Sequence, residues 1–166
     1  MDVIEALLEN NRHYARQFDQ GTLAPSPQRK VAVLTCMDAR LDVHKILGLH
    51  EGDAHIIRNA GGVASEDALR SLLISQRLLG TEAVVVIQHT DCGMLTLRED
   101  EVRREVEEET GETLPFTLQA FSELEEETTS AIARIREATF LPHRDAVRGF
   151  VYDVETGLLR EVEAGW

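Results

Sequence analysis

The sequence is that of an α/β protein: a mostly parallel β-sheet flanked by helices, with an antiparallel edge hairpin near the C-terminus. Three observations predict this. The runs VAVLT at 31–35, AHIIR at 54–58 and AVVVIQ at 83–88 are largely apolar or β-branched, as in parallel strands buried on both faces. Segments of helical period separate them, so strands and helices alternate. Near the C-terminus, RGFVYDV at 148–154 and LLREV at 158–162 flank a Thr-Gly turn and read as a hairpin at one edge.

The elements follow in order. Residues 2–18 form an amphipathic helix, with Ile4, Leu7, Leu8, Tyr14, Ala15 and Phe18 at helical spacing. Gly21, Pro25 and Pro27 end it and make a linker. The helix precedes the main body, so it packs on a partner subunit or folds back on its own domain; the sequence does not choose. After the first strand a short helix covers 42–48 and stops at Gly48. After the second, Gly61 and Gly62 form a turn and Ser65 is placed to cap a helix, with Glu66 and Asp67 in its first turn. Leu69, Leu72, Leu73 and Leu79 are its expected buried face, and Gly80 its stop. A polar helix is expected at 97–110, ending at Gly111. A longer one is expected at 117–138, with Leu118, Phe121, Leu124, Ala131, Ile132 and Ile135 at core spacing. Pro142 breaks the chain before the hairpin.

A chain of 166 residues, 43% apolar, suits one domain over 1–166, with 1–28 as its helical arm and linker. No run is long and apolar enough for a membrane span. The N-terminus carries acids where a signal peptide carries bases, so a cytoplasmic location is expected. A net charge of −13 argues against nucleic acid and anionic membranes as partners and leaves a small-molecule substrate. The acidic runs EVEEE at 105–109 and ELEEE at 123–127 read as solvated helix faces. Two cysteines, Cys36 and Cys92, exclude a disulfide scaffold; a single bridge stays possible but is disfavoured in the cytosol.

Sites in parallel sheets form at the carboxyl ends of the strands. Cys36 follows the first strand, Arg58 and Asn59 the second, His89 and Cys92 the third. In HTDCG at 89–93 a His and a Cys stand three apart, so one tight turn aims both at one point. With Cys36 they form a Cys-His-Cys set suited to Zn²⁺. Three ligands leave a fourth tetrahedral position free, the pattern of a catalytic zinc. A structural zinc would need one of the other histidines, His13, His44, His50, His55 or His143. In Cys36-Met37-Asp38-Ala39-Arg40, Asp38 is placed to accept the hydrogen bond of a zinc-bound hydroxide. Arg40 is placed to hold it ionised and off the metal. A simple surface ion pair is the alternative.

The chain resembles the β-class carbonic anhydrases through Cys36-Met37-Asp38-Ala39-Arg40, Arg58-Asn59-Ala60-Gly61-Gly62 and His89-Thr90-Asp91-Cys92-Gly93. The match in order and spacing runs from about residue 30 to 93. The resemblance implies one zinc per chain on Cys36, His89 and Cys92, a catalytic dyad of Asp38 and Arg40, and reversible hydration of CO₂ to bicarbonate and a proton. It also implies a homodimer or larger homo-oligomer whose N-terminal helix embraces the other subunit. Active sites would lie near the dimer interface, beside apolar residues. Family members that close the site at lower pH and bind bicarbonate at a second, regulatory site carry Trp three residues before the first cysteine. Here that position is Val33, and the one Trp is Trp166, so the open form is expected without that regulatory site.

Two thiolates neutralise Zn²⁺, so its water should be less acidic than at a three-histidine site, where the pKa is about 7. Activity should therefore rise toward alkaline pH. Arg58, Asn59, Gly61 and Gly62 are the supporting and substrate-pocket residues. Arg58 and Asn59 brace the loop; the glycines allow close backbone approach or a bare turn. Asp91 reads as a turn residue, with support of the site as the alternative. Rival readings are hydrolysis of carbonyl sulfide or carbon disulfide at the same site and a non-catalytic zinc or bicarbonate-binding protein. A thiol redox protein is a third, but it lacks a C-x-x-C motif and leaves His89 and the dyad unexplained.

Overall fold

Strand β1 (Val31–Cys36) pairs in parallel with β2 (Ala54–Asn59) on one side and β3 (Ala83–His89) on the other. Strand β4 (Val147–Tyr152) continues the parallel sheet beside β3, and β5 (Leu159–Val162) closes it antiparallel, giving the order β2-β1-β3-β4-β5. This computed structural model describes residues 2–163; Trp166 lies outside the described residues.

The chain steps from β1 outward to β2, then returns past β1 to β3 and continues the other way. The strand order reverses between β1 and β3, the place where α/β sheets bind ligands. Their carboxyl ends carry Cys36 and His89, each the last residue of its strand rather than the residue after it.

Strand alternation splits the core in two. Ala32, Leu34, Val84 and Val86 face α3 (Glu66–Arg77) and α5 (Leu124–Glu137), meeting Leu72 and Ile132. Val33 and Ile87 face the opposite side with Val43 of α2 (Val43–Leu47). Both faces are covered, which is why β1 carries no polar alternation. Val33 is completely buried in this second cluster.

Three of the expected caps are present, while α3, expected to run to Gly80, ends at Arg77 with Leu78 as its C-cap. Ser65 Oγ accepts from Ala68 N at 3.2 Å at the start of α3. Gly48 and Gly111 adopt left-handed conformations after α2 and after α4 (Glu99–Thr110). The helix expected over 117–138 is shorter: only Leu124–Glu137 is helical. Gln119 takes φ +58°, which no α-helix accommodates. Leu118 N donates to Glu99 Oε1 at 2.9 Å, and Phe121 packs in the apolar cluster around Cys36 and Cys92. Tertiary contacts thus draw 117–123 out of the helical pattern its apolar residues suggest.

Helix α1 (Val3–Ala15) buries none of its residues. Ile4, Leu7 and Leu8 remain exposed. A 2.6 Å hydrogen bond from Tyr14 Oη to Glu51 ties its end to the body. Among the described residues no helix is long and apolar enough to cross a membrane.

Candidate active site

Parallel register sets the site. Cys36 sits opposite Asn59, and Thr35 opposite both Arg58 and Ile87, so three strand ends reach one edge together. Beyond β3 the chain turns sharply, with Asp91 at φ +53°, and brings Cys92 back beside His89. The thiol sulfurs of Cys36 and Cys92 and a ring nitrogen of His89 lie within 4.8 Å of one another, all buried.

The His89 ring is fixed from behind. Its Nδ1 bonds the Thr90 carbonyl at 2.8 Å, which sets that nitrogen as the N–H donor and leaves Nε2 with a free lone pair. Thr90 is itself held, its N–H donating to Tyr152 O at 2.9 Å and its Oγ1 accepting from Val154 N at 3.0 Å. Nε2 is completely buried without a hydrogen-bond partner. A buried orphan nitrogen is costly unless something binds it. Two thiols beside it complete a soft donor set that fits Zn²⁺ with one position open.

Burial works against ionising Cys36, but the His89 ring and the backbone N–H groups of Asp38 and Gly61 outweigh it, and its thiol is lowered below the ordinary value. Burial dominates at Cys92 and raises its thiol. Cys36 therefore ionises more readily than Cys92, whose proton a bound metal would displace.

Asp38 is gripped by Arg40 on both oxygens. Nε donates to Oδ1 at 3.0 Å and Nη2 to Oδ2 at 2.8 Å, while the Arg40 backbone N–H also meets Oδ1 at 2.9 Å. The Arg40 side chain first, and its backbone N–H next, hold the carboxyl well below the usual range. Asp38 Oδ2 stands 3.8 Å from His89 Nε2, beside the donor set and turned to Arg40. The carboxylate side chain is 19% exposed and that of Arg40 46%, so the acid faces the donor set while the base lies nearer the surface.

Arg58 clamps the whole loop. Its guanidinium donates to the carbonyls of Cys36 (3.0 Å), Leu41 (3.0 Å) and Asp38 (2.7 Å). Asn59 spans the following turn, donating from Nδ2 to Val63 O at 2.8 Å and accepting from Val63 N at 2.9 Å. Within that turn Gly62 lies so close to β1 that a Cβ would stand 2.7 Å from Cys36 N. Its close approach is therefore to the cysteine backbone. A Cβ on Gly61 would meet Met94 and Phe121, which with Leu41 make an apolar surround for Cys36 and Cys92.

Two contacts escape sequence reasoning. Gln88 Nε2 donates to Gly62 O at 3.1 Å, holding the glycine turn from the adjoining strand; its only signal is a polar residue ending an apolar run. Arg40 Nη1 also reaches Asp91 at 2.8 Å, across 51 positions of sequence that no local pattern links.

Comparisons with known proteins place the chain among relatives of one family. A family model described as carbonic anhydrase matches residues 31–159, a span that includes every site residue above. Beta-carbonic anhydrase 1 of Mycobacterium tuberculosis is 44% identical over 162 residues, covering 98% of this chain and 99% of that one. A carbon disulfide hydrolase of Acidithiobacillus thiooxidans is 30% identical over 177 residues, covering 95% and 87%. The crystal structure of carbonic anhydrase from Streptococcus mutans superposes with a TM-score of 0.91 at 36% identity, covering 98% and 99% of the two chains.

Proposed function

The chain belongs to the β-carbonic anhydrase family, and from that premise we propose how its residues carry out the reversible hydration of CO₂ to bicarbonate and a proton. The enzyme is a zinc-dependent carbonate dehydratase. The observation that carries the assignment of residues is the buried Cys36-His89-Cys92 set, its His89 Nε2 unpartnered, next to an Asp38 gripped by Arg40. Cys36, His89 and Cys92 would hold the zinc. When bound, the ion supplies Lewis acidity and lowers the pKa of a water molecule.

The protein's own groups do the rest. Asp38, kept ionised, accepts a hydrogen bond from the attacking water and directs its lone pair at CO₂ carbon. Arg40 occupies both Asp38 oxygens, which orients the carboxylate and opposes its collapse onto the metal. Arg58 holds the loop carbonyls that set where Asp38 stands. Leu41, Met94 and Phe121 provide an apolar boundary for an apolar gas. The proton released leaves to solvent and buffer.

Stopped-flow CO₂ hydration on zinc-loaded protein is the test. Rates well above buffer, rising from neutral toward alkaline pH, are expected. A flat profile would contradict the effect assigned to two neutralising thiolates, and no rate above buffer would remove CO₂ as substrate. A second reading is favoured by the carbon disulfide hydrolase at 30% identity: the same site hydrolysing carbon disulfide or carbonyl sulfide. Sulfide release from either compound, assayed alongside, decides it.

We further propose a homodimer in which α1 lies across the other subunit. An amphipathic helix with no buried residue is an unpartnered apolar face. The triple variant Ile4→Gln, Leu7→Gln, Leu8→Gln should sediment as a monomer where the parent sediments as a dimer; an unchanged mass would place the interface elsewhere. Residues 1–28 are then the arm of one catalytic domain. Two free cysteines, both buried, fit a reducing cytoplasm.

A further inference from the structure

We propose that Asp91 is a positioning residue for the hydration reaction: its carboxylate fixes the Arg40 guanidinium from the edge opposite Asp38. This rests on the assignment of Asp38 and Arg40 just made.

The guanidinium is planar, with donors on two usable edges. One edge takes Asp38, through Nε at 3.0 Å and Nη2 at 2.8 Å. The other takes Asp91, Nη1 meeting Oδ2 at 2.8 Å, while Nη2 also meets the Asp91 carbonyl at 3.0 Å. Fixing one edge of a rigid plane fixes the other. Arg40 is 46% exposed, so packing alone does not hold it. Arg58 fixes the loop backbone that carries Asp38, not the Arg40 guanidinium. Asp91 comes instead from the turn that carries His89 and Cys92, and so registers the dyad against the donor set.

The contact, and not the backbone, separates this role from that of a turn residue. Asp91 has φ +53°, a conformation that glycine enters freely and aspartate tolerates. A turn uses only that tolerance, whereas this carboxylate also meets Arg40 Nη1 at 2.8 Å. The acids across the adjoining cavity of ≈ 530 Å³, Asp153 and Glu155, are poor substitutes. Asp153 Oδ1 already accepts from the N–H groups of Glu155 and Thr156, and the Arg40 guanidinium meets Asp38 and Asp91, not Glu155.

Asp91→Gly tests it, because the turn and the carbonyl contact survive while the carboxylate goes. The expected result is an unchanged or higher melting temperature, full zinc content, and kcat lowered about fivefold at unchanged KM, the upper range for an exposed ion pair. A second readout needs neither metal nor substrate. In ¹⁵N-labelled zinc-free protein, the Arg40 Nε–H resonance, assigned by its loss in Arg40→Lys, should exchange with water several times faster in the variant. Parental kcat together with parental exchange in Asp91→Gly would make Asp91 a turn residue and overturn the proposal. If Asp91→Gly fails to fold, Asp91→Asn, equally tolerant of the turn, is judged by the same two readouts. Faster exchange in a protein whose parent does not hydrate CO₂ would sustain the contact and overturn the reaction assigned to it.

Discussion

Asp38→Asn should keep its zinc and lose its hydration activity. The amide matches the carboxylate in shape, and the three proposed zinc ligands, Cys36, His89 and Cys92, are untouched, so metal content measured after dialysis should stay near one per chain. What disappears is the charge. A charged hydrogen-bond acceptor that orients the reacting water is worth about 10²-fold through positioning, and CO₂ hydration by stopped flow should fall by that order. Asp38→Ala should fall as far and, by freeing Arg40, lose the Arg40–Asp38 contacts at 2.8 and 3.0 Å as well. The sign of the pH effect follows from the same contacts. Arg40 lowers the Asp38 carboxyl, so Asp38 is already ionised at neutral pH and stays so as pH rises. Any gain in rate from neutral to alkaline pH therefore comes from the reacting water and not from Asp38. A variant that hydrates CO₂ at the parental rate would remove Asp38 from the reaction.

Gly62→Ala should be strongly damaging, because the added methyl would strike backbone and not a side chain that can turn aside. A Cβ there would stand 2.7 Å from Cys36 N and 2.8 Å from the Thr35 carbonyl carbon. Both are backbone atoms at the carboxyl end of β1, a strand paired on both sides, and cannot turn aside as a side chain would. The φ of +62° adds left-handed strain of about 1–2 kcal/mol, and forced overpacking adds about 1–3 kcal/mol. The sum is roughly 2–5 kcal/mol, measurable by urea denaturation of the zinc-free protein. Zinc affinity should weaken too, because the atoms displaced belong to Cys36. Gly80→Ala is the control: its φ is +77° but nothing lies within 4 Å of a Cβ, so only the strain remains. Equal destabilisation in the two variants would mean that the turn does not press on β1.

A large share of this protein is written locally. The apolar runs at 31–35, 54–58 and 83–88 mark β1, β2 and β3 because strands buried on both faces admit few polar residues. Ser65, Gly48 and Gly111 act as the caps their chemistry suggests. The Asp38–Arg40 pair was also legible, since its members are two residues apart on one loop and need no distant element to meet. Cys36, His89 and Cys92 could be grouped because alternating strands and helices bring parallel strand ends to one edge.

Tertiary structure alone decided the remainder. Residues 117–123 have helical spacing, yet Gln119 turns left-handed and Phe121 is drawn to the cysteines. Burying that ring offsets a single turn of helix that would otherwise stand at the exposed start of α5. Arg58 finding three carbonyls, Gln88 finding Gly62, and Arg40 finding Asp91 all join residues more than 15 positions apart. Sequence determines which side chains carry donors, thiols and charge, and the local backbone each prefers, because those depend on neighbours within a turn or two. Which of them touch depends on strand order and register, and these are set by how the whole chain buries its apolar surface.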